Sequence, residues 1–244
     1  MWKFKESELS GTAFEKAEFL FATRHYDEAL EHYNKVIGSY SQKKGNHASL
    51  ETSLKRKLFI FVRAKQDPEG GINSFKKDLY NKQWSPVLKY EVQGWIDALR
   101  KISLKPVDEN PSVSAEHLEA FASQAIPPLL TAGNQFKPDS FVMFLYASGL
   151  IYHFINNRKE SEVTPGLLYW LAICDTHLTQ GYFFSLTDEY LKECITRFPK
   201  SPTARKCYLE LESTAMTSYT GSSGVHLPKD VQDELNKFKS LVEP

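Results

Sequence analysis

The chain has 244 residues, 41% of them hydrophobic and 25% charged, enough to build a substantial core as one large domain or two smaller ones. Lys plus Arg and Asp plus Glu each number 30, and that balance removes the electrostatic reason to expect nucleic acid or an anionic membrane as the main partner. Met1 to Glu6 hold no apolar stretch of the signal-peptide kind, so the cytoplasm and, after removal of a leader, the periplasm both stay open.

Helical periodicity dominates from the start, and no segment of period-two alternation competes with it. Phe14, Ala17 and Phe21 share one face of a first helix. After Thr23-Arg24-His25, a second helix carries Tyr26, Ala29, Leu30, Tyr33, Val36, Ile37 and Tyr40 at steps that suit 3.6 residues per turn. Leu50, Leu54, Leu58, Phe61 and Val62 mark a third, with Lys55, Arg56 and Lys57 expected on its solvated side. Asp67-Pro68-Glu69-Gly70-Gly71 reads as a breaker and a boundary, followed by a short helix from about Ser74 to Lys82. Ser85-Pro86 is an N-cap with proline in the first helical position, opening a helix with Leu88, Val92, Trp95, Leu99 and Ile102.

Lys105 to Pro111 reads as a loop and a second candidate boundary. Ser114 then opens a helix that Pro127-Pro128 ends. The apolar run Phe141 to Phe154, in a helix begun by Pro138-Asp139, is too short to span a bilayer. From Pro165 the signals sharpen: Leu167, Leu171, Cys174 and Leu178; then Leu186 to Phe198; then Ser201-Pro202 before Ala204, Cys207, Tyr208 and Leu211. Gly221-Ser222-Ser223-Gly224 reads as a flexible loop, and Val231, Leu235, Phe238 and Val242 as one face of a polar-backed final helix. The expected fold is all-α with about ten helices, in three consecutive parts: 1–66, a middle 67–164, and 165–244.

Two stretches resemble tetratricopeptide repeats, which are helix–turn–helix units. In the first, Ala13 to Ser41, the run His25-Tyr26-Asp27-Glu28-Ala29-Leu30 matches the family's turn and second-helix start, with Ala17 and Ala29 as the small contact residues and Tyr33 at the large aromatic position. The second, Leu168 to Pro199, continues into Arg197-Phe198-Pro199-Lys200-Ser201-Pro202-Thr203-Ala204, similar to repeats of bacterial envelope lipoproteins. It departs from the pattern at Thr187, Cys194 and the long turn Thr179 to Phe183. The middle shows no repeat. The resemblance implies a non-catalytic scaffold whose groove binds a protein or peptide, with Tyr26 and Tyr33 as candidate contact residues; Trp84, just before a helix cap outside the repeats, is a further candidate. Trp95 and Trp170 are expected in the core, and Trp84 at the surface.

Motifs for chemistry are sparse. The glycine–serine loop lacks the Lys-Ser/Thr of a phosphate loop and follows a helix rather than a strand. Cys174 and His177, with Asp175 and Cys194, permit a metal site to be drawn, but a core cysteine beside a surface histidine is the simpler account. Three cysteines exclude complete pairing within one chain; core thiols are the first reading and a Cys174–Cys194 disulfide the second. No cofactor, metal or catalytic residue is assigned. Two other readings stay open: an all-α ligand binder or enzyme with a pocket near Phe141 to Phe154 that holds His153 or His117, and an accessory domain of a longer chain.

Overall fold

Thr12 starts the first helix: its hydroxyl accepts from the Glu15 N–H at 3.2 Å while the Glu15 carboxylate accepts from the Thr12 N–H at 2.8 Å, closing a capping box. A computed structural model describes residues 9–41, 46–81, 84–104, 114–131, 137–178, 185–221 and 224–243, the side chain of Leu104 excepted. Its α-helices in chain order are α1 (Ala13–Ala22), α2 (Tyr26–Ser39), α3 (His47–Phe59), α4 (Pro68–Asp78), α5 (Pro86–Leu104), α6 (Ala115–Ala125), α7 (Pro127–Leu130), α8 (Pro138–Asn157), α9 (Pro165–Leu178), α10 (Thr187–Arg197), α11 (Pro202–Ser218) and α12 (Lys229–Val242). The fold is all-α, as the periodicity requires. Among the described residues the β-structure is one ribbon that pairs Thr220–Gly221 with Gly224–Val225. It stands where a loop was expected, and Ser222 and Ser223 lie outside the described residues, as do Thr179 to Phe183 and Lys105 to Pro111.

The chain divides into two compact units, Met1–Glu109 with Thr131–Gly149, and Asn110–Leu130 with Leu150–Pro244. This differs from three consecutive parts. The middle is shared: α4 and α5 pack in the first unit, while α6 packs on α9 in the second.

In the first unit, α1 and α2 join through a three-residue turn. Arg24 adopts φ 62°, and the N–H groups of Arg24 and His25 reach back to the carbonyls of Phe21 and Leu20 at 3.0 and 2.8 Å. This is the left-handed closure that satisfies the last carbonyls of a helix. It packs α1 on α2 around one buried cluster in which Ala17 and Ala29, both fully buried, lie with Leu20, Phe21, Tyr33 and Ile60. The α3 helix widens into a π-helical turn at Ile60–Ala64, where the Lys65 N–H reaches back five residues to the Ile60 carbonyl. There Gly149 of α8 approaches closely: a methyl group on it would lie 3.1 Å from the Arg63 backbone.

Asp67-Pro68 is no linker. Asp67 caps α4 by accepting from the Gly70 N–H at 2.8 Å, Pro68 takes the first turn, and Gly70 and Gly71 are helical. The same residues that break a chain also start a helix when a carboxylate precedes the proline.

In the second unit, α9, α10, α11 and α12 pack in succession around Leu168, Ala172, Leu191, Ile195, Ala204, Leu211, Leu235 and Phe238. Cys194 of α10 and Cys207 of α11 form a disulfide with Cα atoms 6.5 Å apart. Cys174 is buried and takes no part in it, which corrects the Cys174–Cys194 alternative: the adjacent helix pair that brings two thiols together is α10–α11. Among the described residues no helix is long and apolar enough to cross a membrane.

Candidate functional site

The second unit carries a cleft of about 320 Å³ formed by α6, α9 and the start of α11. One wall is acidic, with Glu116 and Glu119 one turn apart on α6, followed by Ala120 and Ser123. The floor is Gly166, Tyr169 and Trp170 on α9, and the far wall is Thr203 and Lys206 on α11.

Local sequence explains each placement. Ser114 caps α6 by accepting from the His117 N–H at 3.3 Å, which puts Glu116 in the first turn. There the Ser114 hydroxyl, then its own backbone N–H, hold its carboxyl below the usual range, so it remains ionised at neutral pH. Glu119 bends toward α9 and accepts a hydrogen bond from the Thr164 hydroxyl. The carboxylate rests directly on Gly166, where a methyl group would lie 2.3 Å from it. Glycine is therefore what lets the acidic wall meet the floor.

Tyr169 and Trp170 meet edge to face, with ring centroids 5.1 Å apart, and both are half-buried. Burial, then the negative charge of Glu210, push the Tyr169 hydroxyl pKa up, so it stays protonated and available as a donor. Among the described residues, Glu116, Glu119, Glu210 and Lys206 form no ion pair with one another or with any other side chain. The cleft thus presents two ring systems, two carboxylates and one ammonium group to solvent.

The residues singled out from sequence lie elsewhere. Tyr33 is fully buried, and its hydroxyl donates to Glu18. Glu18 also accepts from Arg56 Nε at 3.3 Å, and the Arg56 guanidinium lies 4.5 Å from the Phe21 ring centre. Burial, followed by the bond to Glu18, drives the Tyr33 pKa far up. Tyr26 is half-buried and packs edge-on to Phe21 at 5.6 Å and beside Phe59 at 6.0 Å. Trp84 is only 3% exposed, which corrects its expected place at the surface: it closes the core just before α5. Trp170, expected in the core, lines the cleft instead. Tyr33 and Trp84 are buried in the core, Tyr26 is half-buried, and none of the three lines the cleft.

The basic run Lys55-Arg56-Lys57 is likewise not a solvated face. Arg56 is held as above, and Lys57, 1% exposed, donates to Asp78 at 2.6 Å and to Asn34 at 2.9 Å above the Phe75 ring. The residues of the drawn metal site also have other work. Asp175 accepts from the Leu186 N–H at 2.6 Å and the Ser185 hydroxyl at 3.0 Å, capping the approach to α10, while Cys194 is in the disulfide. Among the described residues no three His, Cys, Asp or Glu side chains gather where they could hold a metal ion. His117 is exposed and His153 half-buried beside Tyr152, and the cleft takes no residue from 141–154.

No protein-family model matches the chain, and neither curated proteins nor solved structures give a match.

Proposed function

We propose that this chain is a non-catalytic protein-interaction scaffold of tetratricopeptide type, and that the cleft of the second unit is where it grips a peptide or an exposed segment of a partner protein. The observation that carries the reading is the composition of that cleft: half-buried aromatic rings between an acidic wall and a lysine, with no mutual ion pairs to neutralise it. Aromatic side chains that remain partly accessible inside a concavity supply contact area at low entropic cost, and flanking charges fix register. The burial of Ala17 and Ala29 in one cluster between α1 and α2 and the tight turn that joins these helices support the resemblance to the repeat family, since that family depends on small residues at the helix crossing.

The test is selection of a random peptide library displayed on phage against the intact chain, with the Trp170→Ala variant as a parallel target. Enrichment of a sequence motif on the wild type that is lost on the variant, at unchanged circular dichroism, supports a peptide-binding cleft. Absence of any enriched motif overturns it.

A further inference from the structure

We infer that the partner segment presents an arginine or lysine side chain to this cleft. The inference rests on the peptide-binding reading above and names the chemistry of the ligand.

Charge comes first. Among the lining residues, Glu116 and Glu119 on one wall face the single positive charge of Lys206. Two carboxylates facing one ammonium group leave a net negative field inside a partly enclosed space, where charges act more strongly than on open surface. The floor is the second, independent observation. Tyr169 and Trp170 are set edge to face, so at least one ring can offer its π-face to an incoming cation, and indole is the strongest such acceptor among side chains. The arrangement of Glu119 is the third. One of its oxygens accepts from Thr164, which fixes the carboxylate against Gly166 at the junction of wall and floor. A planar guanidinium inserted over the aromatic floor meets a carboxylate already held in place, so little entropy is lost on pairing.

A neutral aliphatic side chain would fill the same volume but leave Glu116 and Glu119 facing it without compensation. An acidic side chain would meet two like charges. Lys206 stands on the opposite wall, which places the incoming cation toward α6 and leaves the lysine to the carbonyls or an acidic neighbour of the peptide backbone.

The experiment takes the peptides enriched on the intact chain and asks what they contain. Each is then synthesised with its arginine or lysine replaced by citrulline or norleucine, and binding is measured by fluorescence anisotropy. The proteins are the wild type, Glu116→Gln and Glu119→Gln, the last keeping an oxygen for Thr164. The expected results are an enriched basic position, affinity reduced about 3- to 10-fold on citrulline replacement and by a similar factor in each Gln variant, and a further loss with added salt. Enriched peptides without a basic residue, or equal binding by the Gln variants, would overturn the cationic ligand while leaving peptide binding in place. No enrichment at all would overturn both.

Discussion

Lys57 offers the sharpest test of how the first unit holds together. It is 1% exposed, its ammonium group 2.6 Å from Asp78 and 2.9 Å from the Asn34 side chain. Burial lowers the Lys57 pKa and raises that of Asp78, and in each case the partner's charge pulls the other way. Desolvation being the larger effect on both, the pair contributes a fixed geometry linking α2, α3 and α4 more than it contributes net stability. Breaking it from one side is a different matter. Lys57→Met leaves the Asp78 carboxylate, itself only 15% exposed, without its cation, and the expected cost is about 3–5 kcal/mol. With a urea dependence of about 2 kcal/mol per molar, that lowers the unfolding midpoint by about 2 M. Removing both charges in Lys57→Met/Asp78→Leu restores an apolar contact against Phe75, with stability returning to within about 1–2 kcal/mol of wild type. The assay is urea unfolding followed by circular dichroism and tryptophan fluorescence, since Trp84 and Trp95 are both buried in this unit. A single variant that loses less than about 1 kcal/mol, or a double variant no more stable than Lys57→Met alone, refutes the reasoning.

Four further outcomes follow from particular contacts. Alkylation in denaturant without reductant, on protein kept oxidised, should modify one of the three cysteines, and reduction of Cys194–Cys207, separated by 13 residues, should cost about 3 kcal/mol of stability; three modified thiols by mass spectrometry would rule the disulfide out. Gly166→Ala should push the Glu119 carboxylate off α9 at a cost of about 1 kcal/mol while weakening any cleft-bound peptide, read by anisotropy on the folded variant. Tyr33→Phe deprives Glu18 of a donor in a part-buried site and should lower stability by about 1–2 kcal/mol in the same urea assay. Burial lowers the His177 pKa below its ordinary 6.5, so unfolding takes up a proton as pH falls through that value; stability should drop below pH 6.5, with a slope that His177→Gln removes.

Local pattern made the helices legible. The spacing of Tyr26, Ala29, Tyr33 and Ile37 places α2 correctly because one buried face repeats every turn, and Ser85-Pro86, Ser114 and Ser201-Pro202 start their helices where a hydroxyl can take an orphan N–H. Asp67-Pro68 carries the same signal, but the two glycines beside it are themselves breakers and mask the cap. Periodicity gave no help in α9, where Gly166 to Leu168 and Leu171 to Asp175 are all buried: a helix apolar on nearly every side does not announce which aromatic faces outward. Trp170 is therefore expected in the core, although it lines the cleft.

Pairings over long sequence distance were illegible for a stricter reason. Arg56 and Lys57 look like a solvated basic run until Glu18, 38 residues away from Arg56, and Asp78 are brought against them. A buried cation is tolerated only with its partner present, and a window of one helix never contains that partner. The cleft obeys the same logic, since its acidic wall, aromatic floor and lysine come from three helices with no shared motif. It leaves one local trace, Gly166 at the start of α9. A small residue there has no helix-forming merit, and its reason appears only once the Glu119 carboxylate is seen to occupy the space a side chain would need. If that reason is right, the position tolerates alanine for folding but not for the cleft. Parting those two effects in one variant separates a residue kept for packing from one kept for recognition.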